Sequence, residues 1–70
     1  MLLYSIEATQ AEEAAMGFLR QQYSIIKIVK SVLQDDGRIW HIELLVSSFD
    51  KEKKITVAVN ARTGLILGWQ

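Results

Sequence analysis

The chain is predicted to be a small α+β protein: one N-terminal helix packed on an antiparallel meander sheet of three to four strands. Three observations predict it. Apolar residues recur at helical spacing within Ala11 to Leu19, and from Ser24 onward the period falls to two. Two segments with turn chemistry, Asp35-Asp36-Gly37 and Asn60-Ala61-Arg62-Thr63-Gly64, then divide the β-rich remainder. With 70 residues there is room for a single domain, 1–70, whose core is small.

The helix is expected from about Gln10 to about Gln22. Thr9-Gln10-Ala11-Glu12 matches a capping box, in which the Thr9 hydroxyl and the Glu12 carboxylate satisfy each other's backbone amides. Glu13 would then lie in the first turn, where the helix dipole favours an acid. Ala11, Ala14, Ala15, Phe18 and Leu19 form the buried stripe, and small residues there allow close approach to a sheet. Gly17 is a tolerated defect or a close-contact point. Ahead of the helix, Leu2 to Ile6 is too short to assign between an edge strand and a lead-in.

The first hairpin joins Ile25–Leu33 to Arg38–Ser47. A two-residue Asp36-Gly37 turn would pair Leu33 with Trp40 and Lys30 with Glu43. A three-residue loop with Gly37 in the left-handed region would pair Val32 with Trp40 and Ile28 with Leu44. The second register collects Ile26, Ile28, Val32, Trp40, Ile42, Leu44 and Val46 on one face with only Lys30 out of place, so it is preferred. Ser48 to Lys53 reads as a polar connection with Phe49 its one apolar member. A third strand, Lys54–Asn60, precedes a five-residue loop. The fourth strand then pairs Leu65 with Val59, Leu67 with Val57 and Trp69 with Ile55, and Gly64 takes a left-handed conformation.

Composition narrows function. Half the residues are hydrophobic, which argues against disorder. No cysteine is present, so neither disulfides nor a thiolate metal site staples the fold. Eight basic residues balance eight acidic ones, and without a basic footprint nucleic acid is not an expected partner. Met1-Leu2-Leu3 lacks a basic n-region and no apolar run approaches membrane-spanning length. The default expectation is a cytoplasmic chain with no membrane partner.

The chemistry-bearing residues are sparse. His41 lies on a strand on the same face as Glu43, with no second histidine or cysteine to complete a metal or catalytic set. Asp35 and Asp36 flank Gly37, where aspartate serves local backbone bonding. Lys51-Glu52-Lys53-Lys54 suits a solvated loop and a guarded strand edge. No phosphate-binding loop, dinucleotide fingerprint or calcium loop occurs. The expectation is therefore no catalytic residues, no metal and no cofactor: a non-enzyme.

Area points outward. Four strands make a sheet about 19 Å wide, and one helix about 10 Å across covers roughly half of it. Ile25, Val29, Leu33, Ile39 and Leu45 are assigned to the second face, and Trp69 to a sheet edge or an interface; these six form the candidate interaction surface. Trp40 is assigned to the core under the helix.

The ending Val57-Ala58-Val59-Asn60-Ala61-Arg62-Thr63-Gly64-Leu65-Ile66-Leu67 resembles the closing hairpin of PepSY domains. The helix with Glu12-Glu13-Ala14, and Asp36-Gly37 before the aromatic Trp40, extend the resemblance over nearly the whole chain. The same hairpin and the Gly37-to-Trp40 region are also similar to small gas-vesicle accessory proteins, although the Arg/Pro-bearing connection between their middle strands is missing. The PepSY resemblance implies a non-catalytic module with an inhibitory or regulatory role and no family active site. The expected function is thus a non-enzymatic protein-interaction module working through a sheet face or edge, homodimeric in one form. The alternative is a binder of small apolar ligands, with a pocket between helix and sheet near Phe18 and Trp40.

Overall fold

The computed structural model describes residues 6–70. One helix, α1 (Ala8–Leu19), precedes four strands: β1 (Ser24–Gln34), β2 (Ile39–Ser48), β3 (Lys51–Asn60) and β4 (Ile66–Trp69). All neighbours are antiparallel and the sheet order is β1-β2-β3-β4, the expected meander with the helix against one face. The short strand considered at Leu2 to Ile6 falls, apart from Ile6, outside the described residues.

The core lies between helix and sheet. Ala11, Ala15 and Leu19 meet Ile42, Leu44 and Val46 of β2 and Ile55, Val57 and Val59 of β3, all buried. Ala14, Phe18 and Trp40 pack on its margin, partly buried. Ala11 and Ala15 are 0% exposed, so the small helical residues serve close packing.

The helix begins earlier than its sequence suggests. Its N-cap is Glu7, whose amide donates to Gln10 Oε1 at 2.9 Å, so Thr9 and Glu12 form no cap. The chain's entry decides this. The Ile6 amide donates to the Ala61 carbonyl at 2.7 Å, and the Trp40 indole donates to the Ile6 carbonyl at 3.0 Å. With Ile6 held, the next residue is the one placed to cap. Glu13 accordingly lies past the first turn. The helix also ends early, at Leu19, whose carbonyl accepts from the amides of Gln22 and Tyr23. Gly17 is exposed with open space around it, which makes it a tolerated defect.

The first hairpin runs through three registers: the two considered above, each along part of its length, and a third beyond them. Next to the turn, Leu33 pairs with Trp40 and Lys30 with Glu43; farther on, Ile28 pairs with Leu44 and then Ile25 with Val46. The preferred pairing of Val32 with Trp40 does not form, because Val32 faces His41. Two bulges, at Val29 and at Ile26, each insert one extra residue into β1 and step the register. The cause is visible in the residues. Strict alternation would place Ile28 and Lys30 on one face, whereas the bulges keep Lys27 and Lys30 opposite Leu45 and Glu43 and still turn Ile25 and Ile28 to the core. The loop is Asp35–Arg38, with positive φ at Asp35, Asp36 and Gly37, residue types that tolerate it.

The second connection is tighter than expected. β3 starts at Lys51, and the turn is only Phe49-Asp50, with φ of 52° and 65°. Positive φ at both central residues marks the two-residue hairpin turn whose twist matches the strands. In the last hairpin Gly64 is left-handed as expected, with φ of 80°. The Asn60 side chain accepts from the amides of Arg62 and Thr63, and the Gly64 amide donates to the Asn60 carbonyl. The register differs from expectation, since Ile66 pairs with Val59 and Trp69 with Val57. An irregularity between those pairs leaves Leu67 exposed, and Leu65 stays in the loop.

Candidate interaction surface

Among the described residues the large apolar side chains that remain exposed are not spread over a face. Ile26, Val29 and Leu33 belong to β1, one edge strand; Leu65, Leu67 and Trp69 belong to β4 and its approach, the other edge. Phe49 stands at a hairpin tip, 97% exposed. Two of the β1 set arise from the bulges, for Ile26 and Val29 are the inserted residues.

The six residues assigned from sequence therefore do not make one patch. Ile25 pairs with Val46 and packs against the core, so it leaves the outer face. Leu33 lies opposite Trp40 at the margin of the helix-covered side. Trp69 lies opposite Val57, on the helix side, and its ring meets that of Phe18 edge-on at 6.2 Å between centroids. Val29 is exposed at its bulge. Only Ile39 and Leu45 lie on the outer face as assigned, both partly buried. Ile26, Leu65, Leu67 and Phe49 were missed. The adjacent pair Ile25-Ile26 and the offset lysines Lys27 and Lys30 carried the signal for a broken alternation.

The outer face is polar at its centre. Glu43 lies between Lys30 at 4.0 Å and Lys54 at 3.6 Å, one acid linking three strands. Its partners are both well exposed, so solvent screens this network and its contribution is small. His41 shares that face but sits between Val32 and Ala58. With Thr56, Ala58, Gly68, Trp69 and Gln70 it lines a shallow hollow of about 240 Å³. Ala58 and Gly68 make the floor low because their side chains are small.

At the far end of the molecule the residues after α1 face the Phe49 turn. Arg20, Gln22, Tyr23, Ser24, Ser48 and Phe49 border an open, polar hollow of about 550 Å³. The Lys53 ammonium rests 5.0 Å from the Tyr23 ring centroid. The run Lys51-Glu52-Lys53-Lys54 belongs to β3 itself, not to a loop.

Among the described residues no polar or charged residue is buried, and no three metal-ligating side chains cluster. No described helix is long and apolar enough to cross a membrane. Family models, curated proteins and solved structures offer no match to this chain. The described surface presents apolar side chains on strand edges, with charges between them.

Proposed function

We propose that the chain is a non-enzymatic protein-interaction or regulatory module of the cytoplasm, acting through its sheet edges, with a second copy of itself among its partners. The placement of the exposed large hydrophobics on the two edge strands supports this most directly. Edge strands are where a sheet accepts another chain, by backbone bonds or by alternate side chains. The resemblance of the closing hairpin to PepSY domains points the same way. The pocket-based alternative draws no support from the helix–sheet contact, where Ala11 and Ala15 are fully buried.

The test is sedimentation of the purified protein together with cross-linking capture of partners. Val29→Glu combined with Leu67→Glu should abolish capture while leaving the circular dichroism spectrum intact. Capture that is indifferent to both substitutions would refute the reading.

A further inference from the structure

β1 is the sheet edge remote from β4, and some of its backbone groups have a definite outward direction. The Arg38 carbonyl accepts from the Ala61 amide across the β2–β3 side. Successive residues of a strand turn their backbone groups to opposite edges, so Trp40 and Ile42 face β3 while Ile39, His41 and Glu43 face β1. Their partners Gln34, Val32 and Lys30 therefore direct their backbone groups to β2. Ser31 and Leu33 direct theirs away from the sheet. Among the described residues no strand pairs with them there. The bulges lie at Ile26 and Val29, so Lys30 to Gln34 is the straight part of this edge.

We propose that this straight stretch pairs antiparallel with the same stretch of a second copy, about a two-fold axis at Val32. The inference rests on the protein-interaction function proposed above and names the edge, the register and the partner. In this register Ser31 lies opposite the partner's Leu33, and Leu33 opposite the partner's Ser31. Each of these pairs exchanges both backbone bonds. An axis at Ser31 would draw the Val29 bulge into the ladder, and an axis at Leu33 would draw in Asp35 of the turn. Val32 is the axis that keeps both bonded pairs within the straight part.

Charge complementarity selects a second copy as the occupant. Lys27 precedes the straight stretch and Asp35-Asp36 follows it, so the edge is basic at one end and acidic at the other. An antiparallel copy sets each end against its opposite, whereas a parallel copy would align like with like. The partner's Asp35-Asp36 turn thereby comes beside Lys27. Among the described residues the ion pairs engage Lys30, Lys54 and Glu43, and neither Lys27 nor either aspartate. Lys30 meets the partner's Gln34, so no like charges stand directly opposite. Val32, on the outer face beside His41, meets its own counterpart at the close, non-bonded position. On the helix side Leu33 covers the partner's Ser31 next to the partner's Val29, and both apolar residues are exposed in the single chain. A ladder this short makes a dissociable dimer.

The test is sedimentation equilibrium over a dilution series, with circular dichroism as the fold control. Wild type should dimerise reversibly. Val32→Lys should weaken the dimer by roughly tenfold or more, because it sets two ammonium groups directly opposite one another. Asp35→Asn combined with Asp36→Asn keeps residue types that accept positive φ, and should weaken the dimer while removing most of its salt dependence. Hydrogen exchange of the wild type supplies a measure that needs no variant. The Ser31 and Leu33 amides should gain protection with concentration, while that of Val32, already bonded to β2, should not change. A wild type that stays monomeric, a Val32→Lys dimer as tight as wild type, or Ser31 and Leu33 amides indifferent to concentration would each overturn the proposal. A monomer that still captures a partner through Val29 and Leu67 would overturn this dimer and leave the interaction function standing.

Discussion

The Ser31 hydroxyl donates to the Glu12 carboxylate at 2.6 Å, tying the middle of the helix to the outermost strand of the sheet. Ser31 occupies a place on β1 opposite Ile42, where a core residue would otherwise be expected. The bond lets a polar residue sit there because its partner is charged.

The Ser31–Glu12 pair is expected to couple measurably. Ser31→Ala and Glu12→Ala should each cost about 1 kcal/mol, and their double-mutant cycle should show an interaction of roughly 0.5–1.5 kcal/mol. Denaturant unfolding of the four proteins checks this; strict additivity would show that the bond contributes nothing.

Gly17 offers the reverse case. An added Cβ meets nothing within 4 Å, and the position is helical and exposed. Gly17→Ala should stabilise the protein by about 0.5–1 kcal/mol, chiefly by restricting the unfolded chain. Thermal unfolding should show the midpoint rise by a few degrees, and a fall would mean that the helix packs closer there than the structure has it.

Phe49 carries positive φ with its ring in solvent. A bulky residue in the left-handed region is strained, whereas asparagine accepts it. Phe49→Asn should raise stability by about 1 kcal/mol, which for a chain of this size is a midpoint shift of roughly 4–8 °C. The same substitution should weaken association if the ring serves contact. A stability gain with unchanged association would leave Phe49 without a role.

Deleting Val29 removes a bulge without changing the pairs on either side, since Ile28 already faces Leu44 and Lys30 already faces Glu43. The fold should survive, with circular dichroism close to wild type. The straightened edge strand should aggregate more readily, because bulges blunt edges against pairing. Light scattering on heating measures this, and a deletion that unfolds the protein would show that the bulge is structurally required.

The parts of the fold legible in the sequence were those decided by nearest neighbours. The period change at Ser24, the turn residues at Asp35 to Gly37, and the Asn60–Gly64 loop all depend on residues close in the chain. The registers were not legible because strict alternation was assumed. Lys27 and Lys30 both had to face solvent while Ile25 and Ile28 faced the core, and only inserted residues reconcile those demands. The helix cap was missed for another reason. Ile6 is positioned by Ala61 and Trp40, partners that no local pattern reveals. The surface followed the registers, so Ile25 was assigned outward although it packs inward.

The bonds at Ile6 also imply an order of folding. Each hairpin closes through a loop of a few residues, a small entropic cost. Ile6 meets Ala61 only after nearly the whole intervening chain has been brought into place. Helix docking should therefore follow the zipping of the meander. Truncating Leu19 should then speed unfolding more than it slows refolding, a difference that stopped-flow kinetics resolves. The helix, made before any strand, would be the last element to find its place.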